Sequence, residues 1–131
     1  MNTKELRIGN YINVYRKPAD LSQSTLQIES IYSNDGIYFV RLADGFNVNI
    51  ENGITPVLLT EELLLKCGFE EVGIYDNVYH KENFRIITGK EKDCLFQVYE
   101  DEHCIGIEVS CVHQLQNLYF ALTGKELEVR L

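Results

Sequence analysis

The chain has no tryptophan, one methionine and only two prolines in 131 residues. So little proline excludes polyproline and collagen-like architectures. Long apolar runs are also missing. Nothing in the sequence approaches the roughly 20 residues of a membrane-spanning helix, so no membrane partner is expected. The N-terminus, Met1-Asn2-Thr3-Lys4-Glu5-Leu6-Arg7, lacks the apolar core of a signal peptide, which predicts a cytoplasmic protein. The four cysteines, Cys67, Cys94, Cys104 and Cys111, form no C-x-x-C pair. In a cytoplasmic chain they read as reduced thiols and small core residues. Phosphate-cradling loops of the G-x-x-x-x-G-K-[ST] and G-x-G-x-x-G kinds are absent, as is the G-x-S-x-G nucleophile elbow. Positive charge is scarce: 12 Lys and Arg stand against 20 Asp and Glu, for a net charge of −8. Residues 1–59 carry five basic and six acidic side chains, whereas residues 60–131 carry seven and fourteen. The later part should therefore repel nucleic acid, while the earlier part leaves that question open.

What is present is a globular pattern, with 45% hydrophobic residues. In Tyr11-Ile12-Asn13-Val14-Tyr15 the aliphatic side chains alternate with Tyr and Asn, which predicts a strand with one inward face. Leu26 and Ile28 alternate, but the next apolar residue is Ile31; this slip of one predicts a bulge near Glu29-Ser30. Asn34-Asp35-Gly36 and Asp44-Gly45 are hairpin turns, and Asn52-Gly53 is a third turn signal. Several antiparallel strands within 60 residues suggest a small barrel, because closure removes exposed edges. The spacing Gly9-x-x-Ile12-x-Val14, followed by such strands, is similar to SH3-like barrels. After Pro56, Thr60 is an N-cap for a short helix with Glu61 and Glu62 in its first turn, and Gly68 ends it. Strand signals resume at Ile74-Tyr75, Val78-Tyr79, Phe84 to Thr88, Cys94 to Tyr99 and Cys104 to Val109. In the last of these Ile105, Ile107 and Val109 are predicted to share a buried face. Val112, Leu115, Tyr119 and Leu122 then recur at steps of three, four and three, the clearest amphipathic helix in the chain, closed by Gly124. Leu127, Val129 and Leu131 alternate as an edge strand or a frayed tail. The expected fold is α+β: a small SH3-like antiparallel barrel over residues 1–56, then helix, antiparallel sheet and packing helix over 57–131. If the halves share a core, they are one domain.

Candidate chemistry is sparse. His103, Cys104, Cys111 and His113 are potential zinc ligands, but their spacing matches no zinc module. Cys111 and His113, two residues apart on a helix, should point in different directions, which argues against a nucleophilic pair. Around Asp101 the D-x-D-x-D-G spacing of a calcium loop is lacking. No catalytic residue, metal or cofactor is expected. Tyr11 and Tyr15, with Arg7, Arg16, Lys17 and Arg41, would give an aromatic and basic strip able to hold a single strand of nucleic acid. His113, Gln116, Asn117 and Phe120 recur along a second face of the late helix and would make a surface for a protein partner. The competing reading is that these amides tie the helix to strand ends.

Three stretches carry a resemblance. They are Glu5-Leu-Arg-Ile-Gly-Asn-Tyr-Ile-Asn-Val14, Thr55-Pro-Val-Leu-Leu-Thr-Glu-Glu-Leu-Leu-Leu-Lys-Cys-Gly-Phe-Glu70, and Val112-His-Gln-Leu-Gln-Asn-Leu-Tyr-Phe-Ala-Leu-Thr-Gly-Lys-Glu-Leu-Glu128. Together they resemble a family of small uncharacterised proteins from gut-bacterial genomes and their prophages or mobile elements. The resemblance implies a phage-linked cytoplasmic context and carries no activity or site. The expected function is a non-enzymatic interaction module with a protein partner; the alternative is a nucleic-acid-binding accessory protein that uses the barrel face. The sequence leaves the oligomeric state open.

Overall fold

The computed structural model describes residues 3–15, 23–74, 77–88, 94–98 and 106–131, with residues 3, 15, 23 and 94–98 described by backbone alone. The fold is α+β, with two five-stranded antiparallel sheets and a C-terminal helix. No helix among the described residues is long and apolar enough to cross a membrane. The chain divides into two compact units, Met1–Val57 with Cys111–Leu118, and Leu58–Ser110 with Tyr119–Leu131.

In the first unit a 3-10 turn at Thr3–Glu5 precedes β1 (Tyr11–Tyr15), β2 (Gln23–Asn34), β3 (Ile37–Leu42), β4 (Asn47–Asn49), the single-turn α1 (Ile50–Gly53) and β5 (Ile54–Pro56). The sheet order is β4-β3-β2-β1-β5. The long β2 serves two neighbours. Its residues Gln23 to Gln27 pair with β1, and its later residues pair with β3. Within the pairing to β3 the register shifts between Ile28 and Ser30, where the slip in alternation predicts a bulge. The extra residue lets Ile28 before it and Ile31 after it both turn toward the core. That core gathers Ile12, Val14, Ile28, Val40, Leu42 and Ile54.

The β2–β3 hairpin turns through Asp35 and Gly36 at φ 51° and 79°. Both central residues of such a two-residue turn need positive φ, which Gly adopts freely and Asp tolerates. Asp44 Oδ1 accepts from Phe46 N at 3.1 Å in the next hairpin. The third turn signal is realised differently: Asn52-Gly53 lies inside α1, because Asn49 caps that helix by accepting from Glu51 N at 2.9 Å. No pairing joins β4 to β5 among the described residues, so the expected closed barrel is not found.

In the second unit α2 (Glu61–Lys66) is followed by β6 (Glu70–Glu71), β7 (Val78–Lys81), β8 (Phe84–Thr88), β9 (Cys94–Val98) and β10 (Gly106–Val109), in sheet order β10-β9-β8-β7-β6. Thr60 caps α2 as expected, its hydroxyl accepting from Leu63 N at 3.2 Å. Leu64 and Cys67 bury the apolar side of α2. Ile74 stands in a turn and is exposed, not in a strand. In β10 the predicted buried face is incomplete: Val109 is buried but Ile107 is exposed, since β10 is the sheet's edge. Ile105 lies outside the described residues. The C-terminal segment forms no strand, yet Leu127 and Val129 are buried and Arg130 N donates to Lys66 O at 2.9 Å.

The helix α3 (Val112–Thr123) starts where the periodicity places it and ends with Gly124 N donating to Phe120 O at 2.8 Å. Its residues Val112–Leu118 count with the first unit and Tyr119 onward with the second.

Candidate functional site

The first two turns of α3 place His113, Gln116 and Asn117 against the segment from Glu5 to Tyr11. Both pieces belong to the first unit. The Gln116 carboxamide behaves like a peptide group of a neighbouring strand. Its Oε1 accepts from Tyr11 N at 2.9 Å and its Nε2 donates to Gly9 O at 3.0 Å. Asn117 is the centre of a second knot. Its Oδ1 accepts from Asn10 Nδ2 at 2.8 Å and from Arg7 Nε at 3.2 Å, and its Nδ2 donates to Glu5 O at 2.6 Å. Asn10, fully buried, also accepts on Oδ1 from Arg7 N at 2.7 Å. Apart from the bond to the carbonyl of the exposed Glu5, each of these groups satisfies another buried or half-buried one, as interior polar atoms must.

The second face of the late helix holds His113 and Gln116, each 1% exposed, and the half-buried Asn117. Their polar atoms face the chain's own N-terminal segment, the competing reading weighed above. Phe120 is 39% exposed and is described with the second unit. Tyr11 is half-buried, its backbone held by Gln116. Tyr15 ends β1 opposite Gln23, and its side chain is outside the description. Of the basic strip, Arg7 is engaged with Asn117, Arg41 pairs with Glu29 at 3.8 Å, and Arg16 and Lys17 lie outside the described residues. So do Asp101, His103 and Cys104.

The pair Cys111 and His113 is brought together, contrary to expectation. Cys111 precedes α3 and is not a helical residue, so its thiol is free to turn onto the ring. Its Sγ stands 3.4 Å from Nδ1 and 3.7 Å from Nε2. Such similar distances put the sulfur beside the ring and not in line with either nitrogen. A thiol poised as a nucleophile would lie along one lone pair. Both residues are buried, which denies a substrate access. Burial lowers the proton affinity of His113; the Glu5 carboxylate, 3.7 Å from Nε2, opposes that shift and is the smaller effect. Among the described residues no group of three or more His, Cys, Asp or Glu side chains is placed to hold a metal.

Glu5 and Asn10 are the members of this cluster that no candidate set above contains, and Arg7 stood among the basic-strip residues and not beside the late helix. Their signal is present in the sequence all the same. The stretches Glu5 to Val14 and Val112 to Glu128 contain the partners just described apart from Cys111. Comparison with protein-family models, with curated proteins and with solved structures finds no match.

Proposed function

We propose that this chain is a non-enzymatic protein-interaction module of the cytoplasm, linked to phage or mobile elements, whose first unit is SH3-like. Support for the SH3-like reading is the order β5-β1-β2-β3-β4, with one long bent strand shared between two sets of neighbours and a single helical turn before the last strand. The observation that carries the interaction reading is the outer face of the β2–β3–β4 hairpins. Tyr32 and Phe39 are opposed across β2 and β3, their rings stacked at 5.5 Å and 14°. Tyr32 is 41% exposed, and its hydroxyl donates to Asn47 Oδ1 at 3.0 Å. By alternation Ile37 and Arg41 share this face with Phe39, and Ile37 is 46% exposed. Aromatic rings with an Arg beside them, rimmed by Asn and Glu, have the composition of a contact surface. Buried free thiols at Cys67 and Cys111 accord with a reducing compartment.

The test is affinity capture from the host of the chain with matched variants. A protein partner held by the parent and lost with Tyr32→Ser/Ile37→Ser supports the reading. A partner held equally by the variant, or none, removes it. The second reading, single-strand nucleic-acid binding, uses the same rings with Arg41 and is opposed by the net charge of −8. Salt-dependent retention on single-stranded DNA or RNA at low ionic strength would support it, and absence of retention would end it.

A further inference from the structure

The second unit contains a cavity of about 160 Å³ lined by Leu65, Lys66, Gly68, Lys81, Glu128 and Arg130. One ordered water needs roughly 10–15 Å³ of such space, so a small polyatomic ligand fits. Three of its six lining residues are cationic, in a part of the chain where only seven of the twenty-one Asp, Glu, Lys and Arg side chains are basic. Each cation reaches the cavity from a different place. Lys66 ends α2, Lys81 ends β7, and Arg130 is held there by its backbone bond to Lys66 O.

Lys81 is fixed in place. Its Nζ donates to Cys67 O at 3.3 Å and stands 5.8 Å from the centre of the Tyr119 ring. An ammonium has three donors, and this contact takes one. Gly68 is what leaves room for it: a Cβ at that position would come within 2.6 Å of Lys81 Nζ, and φ is +87°. Lys66 and Arg130 are differently held. Their partners are Glu62 at 3.4 Å and Glu128 at 3.5 Å, in ion pairs open to solvent. Such pairs are weak and exchange readily for a better acceptor. A doubly charged tetrahedral oxyanion is that acceptor, since it faces all three cations and offers several oxygens to the guanidinium fork.

We propose that this cavity binds a phosphate group. Glu128 acts as the resident competitor, holding Arg130 until phosphate displaces it. The site lies in the second unit and does not depend on the hairpin face put forward above.

The experiment is titration of the whole chain with inorganic phosphate at low ionic strength, followed by amide chemical shifts. Saturable shifts centred on Lys66, Gly68 and Arg130 are expected. Lys66→Gln and Arg130→Gln should each weaken binding roughly fivefold, and Glu128→Gln should tighten it. Lys125→Gln makes the same charge change outside the cavity lining and should leave affinity unaltered. Shifts that grow linearly without saturation overturn the proposal, as does equal weakening by Lys125→Gln. Repeating the titration with O-phosphoserine separates the sources: tighter binding than inorganic phosphate points to a phosphomonoester, and equal or weaker binding to the free ion.

Discussion

Gln116 holds Tyr11 as a strand would, its side-chain oxygen accepting the Tyr11 N–H at 2.9 Å from inside the protein. Gly9 O has a second donor in Gln27 Nε2, but Gln116 is the partner seen for Tyr11 N. Gln116→Leu keeps the volume and leaves that N–H without an acceptor. A loss of about 1–3 kcal/mol is expected by urea denaturation. A loss below about 0.5 kcal/mol would mean that water or a shifted backbone replaces the carboxamide.

His113 gives the fold a pH dependence with a definite sign. Burial lowers its pKa below the ordinary 6.5, so the folded chain keeps it neutral where the unfolded chain takes up a proton. The contribution is intact above pH 6.5. It declines as pH falls from there to the folded value, with a limiting slope of about 1.4 kcal/mol per pH unit. Glu5 and Cys111, the groups facing the ring, remain in His113→Gln, so the difference in stability between parent and variant should narrow on acidification. An imidazole titration at or above 6.5 by NMR would contradict this.

Cys67 should be inert in the native state. Burial pushes its thiol up to about 11, outweighing the nearby Lys81 ammonium. At pH 8 about one molecule in a thousand would then carry the reactive thiolate. Iodoacetamide labelling read peptide by peptide should find Cys67 and Cys111 protected in buffer and labelled in urea. Labelling of Cys67 in buffer at the rate of a free thiol would show that α2 opens.

Glu82 holds a left-handed backbone, φ 52°, in the β7–β8 turn, where its carboxylate accepts from Tyr119 Oη at 3.2 Å. Two effects oppose each other there, strain and hydrogen bond. In a Tyr119→Phe background the hydrogen bond is gone, and relief of about 1–2 kcal/mol of left-handed strain outweighs the roughly 0.4–1 kcal/mol of chain entropy that Gly adds to the unfolded state, so Glu82→Gly should then stabilise by about 0.5–1 kcal/mol. In the parent background the gain should be smaller. Thermal unfolding of the four proteins measures both.

Local signals carried much of the fold. The slip between Ile28 and Ile31 located the bulge, Asn34-Asp35-Gly36 located a hairpin, Thr60 and Gly68 bounded α2, and the Val112 periodicity located α3. What those signals could not carry was direction. Asn49 outcompetes a turn at Asn52-Gly53 by capping α1, and Ile107 is uncovered because no strand pairs beyond β10 among the described residues. The polar residues of α3 were visible as a set, but periodicity reports that a face exists, not what it meets. Only pairing over more than a hundred positions, as from Asn10 to Asn117, decides that.

The bulge in β2 has a consequence for how this chain tolerates change. Between Leu26 and Tyr32 the inward side chains are counted off by parity, and the parity is reset once, at Ile28/Ser30. Swapping the identity of Glu29 or Ser30 leaves that count alone. Deleting either one removes the extra residue and leaves Ile28 and Ile31 two positions apart, so strict alternation keeps both inward and only the local bend and added twist of the bulge are lost. Natural or engineered diversity here should therefore include single-residue gaps as well as replacements.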